Sequence, residues 1–170
     1  CTAEHVRGLW ETETGRSADF WSKLAEIGVP GLLVPEEHGG LGLDERDMVL
    51  VLSETGRAAL AEPVIGTAVV AAPTLIALAE LGQAELAKTW LPRIASGSAI
   101  VAVGHARSPL VEDAHVADLL LLPHGDALHA VDPGAARCTA QPAIDPSRRL
   151  FAVGEHVLSI STIACTKSGS

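Results

Sequence analysis

The sequence predicts an α+β chain, with an all-α helical amino-terminal domain over residues 1–97 and a partial antiparallel β-barrel or sheet domain over 98–170. Three observations predict it. Up to Ala95 apolar residues recur at the three-to-four spacing of helices, whereas after Gly97 the apolar runs are short and separated by Pro, Gly and Asp. Helices first and strands second is the order of α+β architectures. Aromatics are only 3% of the chain, with no Tyr, so the cores must be built from Ala, Leu, Val and Ile, which suits closely packed helices.

A first weak helix is expected over 2–14. Ser17 can cap a second over 18–27, with Phe20, Leu24 and Ile27 on one face and Gly28 as its stop. Two prolines and five glycines then forbid regular structure over much of 28–42. Asp44 caps a long helix, with Glu45 and Asp47 near its positive end. Met48, Val51, Leu52 and Thr55 form one face, and Val49 and Leu50 make the helix apolar nearly all round, so it is expected to be covered on more than one side. The uncharged run 63–79 reads as a buried helix over 67–81, kinked at Pro73 and closed by Gly82, rather than as a membrane span. A further helix over 84–95 carries Leu86, Trp90, Leu91 and Ile94. Strands are expected within 99–104, 117–122, 128–131 and 150–153.

The formal charge of −9 disfavours nucleic acid, since phosphate binding needs clustered Lys and Arg and only Arg148 and Arg149 are adjacent. Cys1, Cys138 and Cys165 have no metal or redox spacing and read as free thiols, which fits a reducing, cytoplasmic location. No signal architecture opens the chain. It begins on Cys rather than Met, so a natural start upstream, and a fragment, are expected.

Generic motifs supply no active site. The Gly40-Leu41-Gly42 run lacks the third glycine of a dinucleotide fingerprint, and no P-loop, nucleophile elbow or zinc motif appears. The seven histidines are scattered, His124 and His129 lie around a turn, and no metal is expected. Glu36, Glu37 and His38 could pair carboxylate with imidazole, but the following glycines favour a solvated turn.

Residues 21–42, WSKLAEIGVPGLLVPEEHGGLG, closely resemble the amino-terminal signature of the acyl-CoA dehydrogenases, with His38 where an aromatic is commonest. VLSETGR at 51–57 is similar to the family's L-x-E-x-G-R helix end, and WLPRIASG at 90–97 resembles the segment that closes its helical domain. In the β region, DAHVADLLLL at 113–122 and IDPSRRL at 144–150 resemble a divergent actinobacterial branch associated with bulky acyl-CoA thioesters, including steroid side chains, some members of which are heteromers.

The resemblance implies FAD as cofactor, an acyl-CoA substrate, an electron-transferring flavoprotein as electron acceptor, a homo- or hetero-oligomer, and no membrane span. It implies removal of an α proton by a glutamate and hydride transfer from the β carbon to flavin, giving a 2-enoyl-CoA. The flavin-facing segments of the family fall on Val103 to Glu112, so Val103, His105, Ala106, Ser108, Val111 and Glu112 are the expected cofactor-binding residues. The family's L-T-E-P is replaced by His105-Ala106-Arg107-Ser108, and its W-I-T by Leu110-Val111-Glu112. The family's carboxy-terminal bundle, which carries the base, has no counterpart in these 170 residues, so the catalytic base is unknown and the chain alone is expected to be inactive. Two alternatives stand beside this reading. One is a non-catalytic structural subunit of a hetero-oligomer. The other is a different flavin enzyme on the same fold, of the nitroalkane oxidase or monooxygenase type.

Overall fold

The structure is a computed structural model that describes residues 2–154 and 159–164, the last six as backbone. Among the described residues the helices are α1 (Ala3–Trp10), α2 (Ala18–Glu26), α3 (Glu45–Arg57), α4 (Ala72–Glu80) and α5 (Ala84–Ala95). The strands are β1 (Val101–Val103), β2 (Leu110–Glu112), β3 (Leu119–His124), β4 (Ala127–Val131), β5 (Cys138–Gln141), β6 (Leu150–Val153) and β7 (Ser159–Ala164).

Helix starts follow their caps. Ser17 Oγ accepts from the Phe20 N–H at 3.2 Å, and Asp44 forms a reciprocal capping box with Asp47. Between α2 and α3 the chain folds back on itself, with Leu41, Gly42 and Leu43 N–H groups donating to the Gly31, Val34 and Leu32 carbonyls at 2.9–3.0 Å. Gly40 lies so close beneath Val34 that a Cβ there would overlap the Val34 carbonyl, while Gly39 before it takes a left-handed φ of 81°.

Several expectations are corrected. α1 ends at Trp10, short of the predicted 14. The buried residues of α2 are Trp21 and Leu24, while Ile27 is 72% exposed. α3 is not covered all round: Val49 and Leu50 are 60% and 76% exposed, and only Met48 is fully buried. The predicted kink at Pro73 is replaced by a π-helical stretch, Ile65–Ala71, leading directly into α4 with Pro73 in its first turn. The wider turn accommodates a ring that would otherwise crowd the carbonyl four residues back.

The strands form two sheets, β1-β3-β4-β7 and β2-β6-β5. Every pairing is antiparallel except β1 with β3, which is parallel, so the first sheet is mixed rather than antiparallel throughout. The reason is the connection: the chain leaves β1, forms β2 in the other sheet, and returns to β3 in its original direction. β5 and β7 are not anticipated, being short or polar, and β2 is anticipated only through the flavin-facing segments that the resemblance implies. Cys1 and Cys165 lie outside the described residues, and Cys138 is a half-buried free thiol held above its usual range by burial.

Three layers result. Leu75, Leu91 and Ile94 pack on Val101, Leu119 and Leu121, so one apolar core spans helices and first sheet. The other face of that sheet, Ala102, Leu120 and Val131, packs on Val111, Phe151 and Val153. The free edge of β1 is closed by one hydroxyl: Thr67 Oγ1 donates to the Val101 carbonyl and accepts from the Val101 N–H, both at 3.2 Å. No helix among the described residues is long and apolar enough to cross a membrane.

Candidate functional site

Two cavities flank β1 and β2. The larger, about 420 Å³, lies where the end of α3, the π-helical stretch and the α1–α2 loop meet the β1 and β2 strands. One wall is apolar, from Leu52, Leu60, Val64, Ile65 and Val70, and the opposite wall is charged. Arg16, from the α1–α2 loop, is buried and ion-paired with Asp113. It also donates to the Gly15 and Ser147 carbonyls at 3.0 and 2.9 Å. Glu62 is 6% exposed and accepts the Ser17 N–H at 3.1 Å through Oε1. Its Oε2, like Arg16 Nε, is buried without a hydrogen-bond partner among the described residues.

Asp113 occupies a left-handed conformation at φ 61°, which holds its carboxyl inward at the turn after β2. Burial pushes its pKa up to about 6; the Arg16 charge opposes this, and Glu112 and Glu62 add to it. At the rim Arg148 grips Glu112 with two bonds of 3.2 and 3.1 Å, which hold the guanidinium charged. Asp145 accepts from the Ser147 hydroxyl at 2.6 Å and N–H at 2.9 Å and is held below the usual carboxylate range.

This charged wall is also a stitch between distant segments. Arg149 donates to the Trp10 and Thr12 carbonyls at 3.0 Å, Trp10 Nε1 donates to Ser147 Oγ at 3.3 Å, and His115 Nε2 lies 2.8 Å from the Thr14 carbonyl. The His115 ring stacks on Phe151 at 4.6 Å, and burial pushes its pKa down.

The smaller cavity, about 260 Å³, opens between the two sheets. His105, Ser108, Val111, His124 and His129 line it, and the His124 and His129 rings meet edge-on at 6.2 Å. The six residues expected at a flavin are therefore divided. His105, Ser108 and Val111 face the smaller cavity, Val103 and Glu112 line the larger, and Ala106 lines neither. No group of three or more metal-ligating side chains occurs among the described residues. Glu36, Glu37 and His38 form an exposed turn, with His38 3.7 Å from Glu37. Sequence reasoning missed Arg16, Glu62 and Asp113. Their one visible signal was Glu62, a lone acid opening the uncharged run 63–79.

A helical layer followed by a mixed sheet, with a cavity at their junction, is an arrangement shared with known proteins. The acyl-CoA dehydrogenase amino-terminal domain model matches residues 2–98, more than half of the chain. Acyl-CoA dehydrogenase IpdE2 of Mycolicibacterium smegmatis is 32% identical over 151 residues, 88% of this chain and 45% of that protein. The chain belongs to the acyl-CoA dehydrogenase family. It spans less than half the length of the curated relatives it matches first. Two solved structures share the fold over 96% of the chain and 52% of theirs. They are the ChsE4-ChsE5 complex from Mycobacterium tuberculosis (TM-score 0.76, 24% identity) and the Tcur3481-Tcur3483 steroid ACAD G363A variant (TM-score 0.78, 22% identity).

Proposed function

We propose that the chain forms the helical amino-terminal domain (1–97) and part of the middle β domain (98–170) of an FAD-dependent acyl-CoA dehydrogenase that converts a bulky acyl-CoA thioester to its 2-enoyl-CoA. The carrying observation is that similarity to an acyl-CoA dehydrogenase runs through 88% of the chain, and so through both halves. The larger cavity takes the acyl group, because it alone of the two joins a broad aliphatic wall to the helix–sheet junction.

FAD fits the smaller cavity only along one edge. Val111 and Val153 offer an apolar floor and the imidazoles of His105 and His124 a hydrogen-bonding rim, but Ser108 Oγ is already engaged by Leu110. If bound there, FAD would supply the acceptor for the hydride of the β carbon. The residues of this chain hold and orient: Val111 and Val153 exclude water from the ring edge, and Leu52, Ile65 and Val70 fix the acyl body. No residue of this chain is assigned as the base. An electron-transferring flavoprotein is the proposed acceptor.

The second reading is a supporting, non-catalytic subunit in a hetero-oligomer. The absence of an aromatic and of a hydroxyl at Leu110-Val111-Glu112 favours it. A visible absorbance spectrum, with intact mass alongside, separates the two. A flavin spectrum, together with acyl-CoA-dependent reduction of an electron acceptor, supports the enzyme. A colourless protein that restores activity to a flavin-bearing partner supports the subunit, and a colourless protein with no effect on any acyl-CoA dehydrogenase overturns both.

A further inference from the structure

The charged wall of the larger cavity is out of balance. Among the described residues, Glu62, Glu112, Asp113 and Asp145 line it against Arg16 and Arg148. Arg16 is committed to Asp113 and Arg148 to Glu112. That leaves Asp145 at the solvated rim and Glu62 inside. Glu62 receives one backbone N–H, from Ser17, and no cation lies within ion-pair distance of it among the described residues. A second anion brought beside a buried carboxylate is costly, because the low-polarity interior screens poorly. Asp113 lies in the same wall: burial first, and Glu112 and Glu62 in smaller measure, make its carboxyl hard to ionise even with Arg16 in contact.

Resting on the assignment of this cavity to the acyl group, we infer that it takes acyl groups without a free carboxylate, and that Glu62 and Asp113 are the residues that turn a carboxylate away. The apolar wall of Leu52, Val64, Ile65 and Val70 favours an aliphatic body, and the opposite wall sets its charge. The charged wall therefore acts as a filter between acyl groups of equal size, a discrimination that an aliphatic pocket alone makes only through desolvation.

The test is calorimetric titration of the full 170-residue chain at pH 7.5 with 4-methylpentanoyl-CoA and with succinyl-CoA. Their acyl groups match in size and branching and differ in the terminal carboxylate. Succinyl-CoA is expected to bind at least about tenfold more weakly, a ratio that one unscreened like charge readily produces. Simple desolvation of the carboxylate predicts a ratio too, so the variants decide. Glu62→Gln keeps the acceptor for Ser17 and removes the charge. It should tighten succinyl-CoA about tenfold and leave 4-methylpentanoyl-CoA within about twofold. Asp113→Asn should act in the same direction and serves if the first variant does not fold. Equal binding of the two thioesters to the unaltered chain overturns the inference. So do variants that bind 4-methylpentanoyl-CoA normally and leave succinyl-CoA as weak as before. Binding of neither thioester removes the acyl assignment itself, and the inference with it.

Discussion

Two of the seams between helices and strands hold by opposite means. Through Leu75, Leu91, Ile94, Val101, Leu119 and Leu121 the contact is wholly apolar, with no direction beyond shape. Through Arg16, Arg149, His115 and Trp10 it is a row of hydrogen bonds and one buried ion pair, each demanding a particular partner. The apolar seam supplies cohesion and tolerates conservative change. The polar seam fixes where the α1–α2 loop sits, and with it the charged wall of the larger cavity.

The sharpest way to break this comparison is to remove one half of the buried pair. Arg16→Met leaves Asp113 buried without its cation and should destabilise the chain by about 3 to 5 kcal/mol in urea unfolding. A loss no greater than that of a surface mutation would mean that the polar seam carries no stability. At the apolar seam Leu91→Ala should cost about 2 to 4 kcal/mol, read as a lower urea midpoint with an unchanged slope. A change in slope there would mean that the two layers separate independently.

The third measurement uses pH. Asp113 has a folded pKa of about 6 against an ordinary 3.8, so the folded state holds its proton more tightly. Its contribution is therefore full below pH 3.8 and is lost as pH rises through 6. Relative to Asp113→Asn, the unaltered chain should gain stability between pH 7 and pH 4, by no more than about 3 kcal/mol. His115 works the other way: its lowered pKa gives stability above pH 6.5 that is lost on acidification. The difference between the two proteins isolates Asp113, and a flat difference across this range would rule out its titration. The smallest effect belongs to the exposed pairs. Lys88→Ala, which removes a pair with Glu85, should leave the urea midpoint where it was.

Much of the apolar seam was legible in the sequence, because it is written in local spacing. Leu91 and Ile94 stand three apart on one helix face, and the strands that receive them are short aliphatic runs. Caps were equally legible, since Ser17 and Asp44 act on residues two or three positions away. The exposure of Val49 and Leu50 was not, because periodicity tells which side chains are apolar and not whether a neighbour arrives to cover them. The polar seam was invisible for a different reason. Arg16 and Asp113 are 97 positions apart, and nothing near either residue marks it as buried. The expected flavin segment was found as a segment but not as a surface, since Val103 and Glu112 line the larger cavity while His105, Ser108 and Val111 line the smaller, with the neighbours Val111 and Glu112 pointing to opposite faces of β2.

The contact of Arg149 with the carbonyls of Trp10 and Thr12 spans 139 and 137 positions of sequence. A ribosome adding roughly 5 to 20 residues per second needs on the order of ten seconds or more between making the two ends of that contact. Through that interval the α1–α2 loop has left the exit tunnel and its seat has not yet been made. The α1–α2 loop, made well before Ser147 and Arg149, is thus fastened late, and a chaperone acting on the nascent chain would find Trp10 and Arg16 waiting there.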